Sequence, residues 1–218
     1  MTEQTFKVLL VDDHPIVREG LDLLISKEAD LMVCGHAEDV GDALRLVEST
    51  QPDVAVIDIS LASGSGLDLI RQIRTRAPQV KLLVSSMHDE TLYAERALQA
   101  GALGYINKQE ATGRIIEAIH HVLEDRIFLS DSMSDRLLHD LVGAGKRPKQ
   151  LSVEKLSDRE LEVLSSIGNG LKTAEIAERM NLSVKTVETY RQRIRHKLKL
   201  ESGAALASFA AQWVLESS

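Results

Sequence analysis

The chain has 218 residues, room for two small domains or one large one. No apolar stretch reaches the roughly 20 residues that a membrane span needs, and Met1 to Lys7 lacks a signal-peptide core, so the sequence predicts a cytoplasmic protein with no membrane partner. The net charge of −7 hides a division: residues 1–142 hold 13 Lys or Arg against 24 Asp or Glu, whereas residues 151–218 hold 10 against 9. An acidic module followed by a locally basic one is the implied plan. Cys34, the single cysteine, can form no disulfide within the chain and reads as a small core residue.

In chain order, apolar runs at Phe6–Val11, Leu31–Ala37, Val54–Asp58, Lys81–Ser85 and Leu103–Ile106 read as strands. Between and after them, Pro15–Ser26, Val40–Ser49, Leu67–Arg76, Thr91–Ala100 and Gly113–Leu123 carry apolar residues at three- and four-residue spacings and read as helices. This alternation predicts a doubly wound, five-stranded parallel sheet over residues 1–125. Residues 126–151 read as a linker with one helix, Ser130–Leu141, ending in the basic, Gly- and Pro-containing run at 143–150. Residues 152–218 read as a small all-α domain. Its first helix opens at Ser157, with Glu160 at capping-box spacing, and Gly168 and Gly170 close it. A second helix spans Thr173–Met180, Ser183 caps a third that runs to Lys197, and Ala204–Glu216 forms a fourth.

The side chains that carry chemistry sit at predicted strand ends. Asp12 and Asp13 follow the first strand, Asp58 the third, Ser86 the fourth and Lys108 the fifth. In an open parallel sheet these ends share one edge, where ligands bind. Carboxylates crowded together repel and lose solvation, so their neighbourhood calls for a hard cation such as Mg2+, or Mn2+ in its place. Asp58 is then free to act as a nucleophile toward phosphorus, with Lys108 and the Ser86 hydroxyl to receive the phosphoryl oxygens. His14, followed by Pro15, reads as part of a helix start and is left outside the ligand set.

These residues resemble those of the receiver domain of two-component response regulators over Lys7 to Leu123. The resemblance implies that Asp12 and Asp13 are the acidic pair and Asp58 the phosphoacceptor. Ser86 and Tyr105 would be the switch residues, and Lys108 the lysine that meets the phosphoryl group. It also implies metal ligation by Asp12, Asp13, Asp58 and the backbone carbonyl of Ser60. Ala62 and Gln109 stand where the family usually has proline.

On the third helix of the second module, Val187, Tyr190, Ile194 and Leu198 fall on one side, and Lys185, Glu188, Thr189, Gln192 and His196 on the other. A polar, basic face after a short turn suits the recognition helix of a helix-turn-helix. The stretch Leu156–Leu215, with Glu175-Ile176-Ala177 and Ser183-x-Lys185-Thr186-Val187, resembles the LuxR-type helix-turn-helix of NarL/FixJ response regulators. By that resemblance Lys185, Thr186, Glu188, Thr189 and Gln192 would approach bases, and Arg191, Arg193, Arg195 and Lys199 phosphates.

The expected function is transcription control. A sensor histidine kinase would phosphorylate Asp58, and a homodimer would engage promoter DNA, with RNA polymerase as a further partner. Enzymatic activity is not expected beyond Mg2+-dependent gain and loss of phosphate at Asp58. Two rivals are a phosphatase with an aspartyl-phosphate intermediate, disfavoured by Ser60 standing where an acid would be needed, and a DNA-binding protein indifferent to phosphorylation.

Overall fold

The computed structural model describes residues 5–61, 64–141, 153 and 155–217, which fall into two compact units, Met1–Leu137 and Leu138–Ser218. In the first unit, strands β1 (Phe6–Val11), β2 (Leu31–Ala37), β3 (Val54–Ile57), β4 (Lys81–Ser86) and β5 (Gly104–Asn107) form one sheet in the order β2-β1-β3-β4-β5. Every pairing is parallel. Parallel sheets need both faces covered, and the strands meet that need with apolar residues on both sides. Val8, Leu10, Val54, Val56, Leu83 and Ile106 pack on helices α1 (Pro15–Ile25) and α5 (Lys108–Leu123) through Leu21, Ile25, Ile115 and Ile119. Leu9, Ala55 and Val84 alternate to the other face, which α2 (Val40–Thr50), α3 (Gly66–Arg76) and α4 (Glu90–Ala100) cover with Leu67, Ile70, Ile73 and Ala97 fully buried.

The predicted strands and helices are present with small shifts at their ends, and one difference matters. Helix α5 begins at Lys108 and not at Gly113. The Asn107 side chain accepts from Gln109 N at 2.9 Å and caps it, and tertiary packing overrides the helix-weakening Gly113. Lys108 is therefore held in the first turn of a helix. Cys34 lies on the edge strand β2 and is only half-buried, because an edge strand has one flank open.

The chain read as linker begins inside the first unit. Phe128 N donates to Leu103 O and Tyr105 N donates to Phe128 O, both at 2.9 Å, so residues around Phe128 add a short parallel rung to the outer edge of β5. Phe128 is buried, with the Arg114 guanidinium 4.9 Å from its ring centre. Ser130 follows. Its N–H donates to Glu90 Oε1 at 2.9 Å, its hydroxyl donates to Glu90 Oε2, and the same hydroxyl accepts from Met133 N at 3.2 Å, capping α6 (Asp131–Leu141). The basic run at 143–150 and the position of Ala62 lie outside the described residues.

In the second unit, α7 (Asp158–Gly168), α8 (Thr173–Arg179), α9 (Val184–Lys197) and α10 (Gly203–Ser217) follow one another. The capping box at the start of α7 is formed: Ser157 Oγ accepts from Glu160 N, and Ser157 N donates to Glu160 Oε2 at 2.7 Å. Ser183 caps α9 by accepting from Thr186 N at 3.0 Å. Val187 and Ile194 of α9 and Leu206, Ala210 and Trp213 of α10 are buried, while Leu215 stays exposed.

Gly66 is imposed by backbone proximity. A Cβ at Gly66 would lie 1.9 Å from the Asp58 carbonyl oxygen, since Gly66 N also donates to Ile59 O at 2.8 Å and closes the loop after β3. Gly66→Ala should destabilise the first unit by about 3 kcal/mol, measured as a lowered urea midpoint with unchanged slope; an unchanged midpoint would show that the loop opens freely.

Candidate functional site

The strand order reverses between β1 and β3, and the crevice at that point is where the loop after each strand can reach a common ligand. Asp58 N donates to Val11 O at 2.8 Å and Asp12 N to Ala37 O at 3.0 Å, so the ladder itself sets the two aspartates side by side. Lys108 reaches in from the first turn of α5. Its Nζ is 2.6 Å from Asp12 Oδ2 and 2.6 Å from Asp58 Oδ2. Asp58 is 5% exposed, and its Oδ1 is buried with no hydrogen-bond partner. Asp12, Asp13, His14 and Asp58 each offer one ligand atom, all within 4.8 Å of one another.

These groups perturb one another. Burial pushes the Asp58 carboxyl up to about 6 from 3.8, against the pull of Lys108, with the charge of Asp12 adding to the rise. Burial also works against the Lys108 ammonium, but the neighbouring Asp58 and Asp12 outweigh it and its pKa is raised.

Ser86 and Tyr105 join the site through a residue that sequence reasoning missed. Ser86 Oγ accepts from His88 N at 3.3 Å, the Tyr105 hydroxyl donates to His88 O at 2.8 Å, and His88 Nε2 lies 2.8 Å from Ser60 Oγ. The His88 ring packs on Tyr93, with centres 4.7 Å apart. The only sequence signal for His88 is its place two residues after Ser86. Tyr105 is 1% exposed, and burial holds its phenol well above its ordinary pKa. The Tyr105 ring is thus already inside. The ring fits there because Tyr105 has a carbonyl to donate to.

In the second unit, Lys185, Glu188, Thr189 and Gln192 line one exposed face of α9 at positions i, i+3, i+4 and i+7. The predicted contacts differ in how committed they are. Lys185, Gln192, Arg193 and Lys199 are exposed and have no side-chain partner among the described residues. Glu188 accepts from Thr173 Oγ1 at 3.0 Å and lies 3.5 Å from Arg191 Nε, so it ties the two helices of the motif together. Thr186 Oγ1 is 2.8 Å from Ser183 Oγ, Thr189 Oγ1 donates to Lys185 O at 3.0 Å, and Arg195 Nη2 donates to Glu201 O at 3.0 Å. Lys197, on the same basic helix, is spoken for: its Nζ is 2.6 Å from the buried carboxylate of Glu160. That contact and the Ser157 N–H lower the Glu160 pKa against the effect of burial.

Residues 8–120 match the response regulator receiver domain. The chain belongs to the response regulator family. Residues 154–210 of this regulator match the bacterial regulatory proteins of the luxR family. It is 35% identical over 206 residues to the DNA-binding transcriptional activator DevR/DosR of Mycobacterium tuberculosis, covering 94% of each chain. It is 34% identical over 208 residues to the oxygen regulatory protein NreC of Staphylococcus carnosus, covering 94% of this chain and 96% of that one. Among solved structures it is similar to RcsB from Salmonella enterica serovar Typhimurium bound to promoter rprA in the presence of phosphomimetic BeF3-, with 25% identity, a TM-score of 0.61, and coverage of 95% of this chain and 99% of that chain. A LuxR-family two-component response regulator from Aurantimonas sp. SI85-9A1 is 34% identical with a TM-score of 0.59, over 64% of this chain and 99% of that one.

This response regulator therefore pairs a receiver with a LuxR-type DNA-binding domain, the architecture of a transcription regulator. Its receiver also suits a divalent cation. The unpartnered Asp58 Oδ1 and the clustered carboxylates are groups whose burial a cation would offset. No helix among the described residues is long and apolar enough to cross a membrane.

The unfolded regulator releases the Asp58 proton near 3.8 and the folded one near about 6. Between these values the native state binds the extra proton, so this carboxyl's contribution to stability falls as pH rises through that window. In metal-free protein, carbon-detected NMR should find the Asp58 carboxyl titrating near 6, higher in Lys108→Ala and lower once Mg2+ is added. A metal-free midpoint at or below 4 would refute the desolvated site.

Proposed function

We propose that this regulator takes a phosphoryl group on Asp58 from a sensor histidine kinase and, so modified, binds promoter DNA as a homodimer. One observation carries the reading most: Lys108 occupies Oδ2 of both Asp12 and Asp58, leaving the buried Asp58 Oδ1 without a partner. That oxygen is the nucleophile. It forms a bond to phosphorus as the bond to the kinase's histidine nitrogen breaks, and Lys108 then transfers its contact to a phosphoryl oxygen. Asp12, Asp13, Asp58 and the Ser60 carbonyl would hold Mg2+ or Mn2+, which when bound neutralises charge on the phosphoryl oxygens. The reaction stays at one turnover per kinase encounter, in keeping with a regulator and not a phosphatase.

The output follows from how Ser86 is wired. A phosphoryl oxygen that draws the Ser86 hydroxyl must disturb its bond from His88 N. His88 also receives the Tyr105 hydroxyl, and two residues later Glu90 grips Ser130 at the cap of α6. Because Tyr105 is already inside, phosphorylation consolidates an arrangement that the chain can reach without it. Cytoplasmic placement, and contact with RNA polymerase at the promoter, complete the reading.

With Mg2+ and a small acyl phosphate donor, intact-mass measurement should show one phosphoryl adduct, absent in Asp58→Asn. Ser86→Ala should still carry the adduct but gain little DNA affinity from it. Undiminished labelling of Asp58→Asn would overturn the assignment.

On DNA, Arg193 and Gln192 should behave differently despite adjacent positions. Arg193→Ala should weaken binding to all sequences and reduce the logarithmic salt slope by about one unit. Gln192→Ala or Lys185→Ala should cost roughly 1–3 kcal/mol on the preferred two half-site duplex, with half-sites about 10 base pairs apart, and much less on random DNA. Equal losses on both duplexes for all three variants would make α9 a phosphate-binding face only.

A further inference from the structure

The ring of His14 does not do what its position suggests. It stands at the N-cap of α1, yet its side chain makes no capping hydrogen bond. Instead, its Nδ1 lies 2.7 Å from Asp13 Oδ1 and 3.2 Å from Asp12 Oδ1. Pro15 supplies the helix start on its own, since its fixed φ suits the first helical position. His14 is thus released from a capping role and its imidazole turns into the acidic crevice.

The distances bear on what occupies that crevice. Two ligands set at right angles on an ion with bonds of about 2.1 Å are about 3 Å apart. The His14 Nδ1 spacings to the two carboxylates are of that size, and the longer one is the hydrogen bond to Asp12 Oδ1 that an ion would replace. A second observation is independent of the ring: Asp58, 5% exposed, keeps an unpartnered Oδ1 in the same cluster, while Lys108 takes the Oδ2 atoms of Asp12 and Asp58. Lys108 thus meets the Oδ2 atoms, while the His14 imidazole meets the Oδ1 atoms of Asp12 and Asp13.

We propose that His14 is a ligand of the divalent ion in this regulator, adding one nitrogen to an otherwise all-oxygen site. The inference rests on the reading of the crevice as an ion site and deepens it. Imidazole adds little affinity for Mg2+, which prefers oxygen, and adds much for later first-row ions such as Co2+ and Zn2+. The site accordingly discriminates against Mg2+ more than carboxylates and a carbonyl alone would. His14 is 64% exposed at its side chain, so the nitrogen can join an incoming ion at the rim without rearranging the core.

The test uses the untagged full chain. Mn2+ bound to the parent protein should show nitrogen-14 modulation in pulsed EPR, and both His14→Ala and His14→Asn should lose it while still binding Mn2+. Calorimetric titrations should give a Co2+ to Mg2+ affinity ratio that falls about tenfold in both variants, with Mg2+ affinity changed less than about twofold. His14→Asn keeps a polar side chain at the helix start, so a loss shared by both variants is not a folding effect. Bound Mn2+ without nitrogen coupling in the parent, or coupling that survives in both variants, would overturn the role of His14 while leaving the ion site standing. If Asp13→Ala bound Mn2+ as tightly as the parent, the ion site itself, and this inference with it, would fall.

Discussion

Lys108 lies within 2.6 Å of two carboxylates that the sheet forces together, and much of the receiver is arranged around making that contact tolerable. Asp12 and Asp58 are neighbours because β1 and β3 are adjacent and in register, Val11 beside Ile57. Two buried negative charges at that spacing would raise each other's pKa and weaken the sheet edge. A single ammonium shared between them offsets most of that cost, provided it arrives from a fixed direction. Asn107 fixes it by capping α5 one residue before the lysine. The compensation is incomplete: burial, with the Asp12 charge beside it, still holds the Asp58 carboxyl up at about 6, leaving one oxygen that favours a positively charged or phosphorus-bearing visitor.

The second unit solves a similar problem with a different outcome. Glu160 is buried, but it receives the Ser157 N–H and the Lys197 ammonium, which leaves it ionised and quiet. The pair joins the start of α7 to the last residue of α9. With Glu188 tied to Thr173 near the other end, the orientation of α9 is set at two points along its length. What remains outward on the helix, Lys185, Gln192 and Arg193, is presented on an element that cannot roll about its axis without breaking an ion pair, and Lys199 follows in the turn beyond it.

Most of this was legible where the signal is local. The strands of the receiver announce themselves as short apolar runs that end in Asp, Ser or Lys, and the capping box at Ser157 and Glu160 is a fixed three-residue pattern. Periodicity also placed Val187 and Ile194 inside and Lys185 and Gln192 outside. Pairings over long separations were not legible. Nothing local marks Lys197 as the partner of Glu160, 37 residues earlier, and only the folded structure brings the two together. The start of α5 was misplaced because Gly113 weakens a helix locally while Ala111 and Ile115 bury into the core and hold it. His14 is the helix-start residue it was read as, at the N-cap of α1, though its ring makes no capping hydrogen bond, and His88 has no local pattern at all, being defined by the residues that converge on it.

The rung that Phe128 adds to β5 has a consequence for how this protein can be divided. A parallel sheet ends in a row of unpaired amides and carbonyls, and an open row of that kind recruits the same row from another molecule. Here Leu103 and Tyr105 spend their free groups on Phe128, and Gly104 has no side chain in part because a Cβ would press on it at 3.0 Å. A receiver cut where the family motif ends, near residue 120, would keep every reacting group and lose its seal. Its natural failure is self-association along β5, so fragments meant to stay monomeric should run through Leu137.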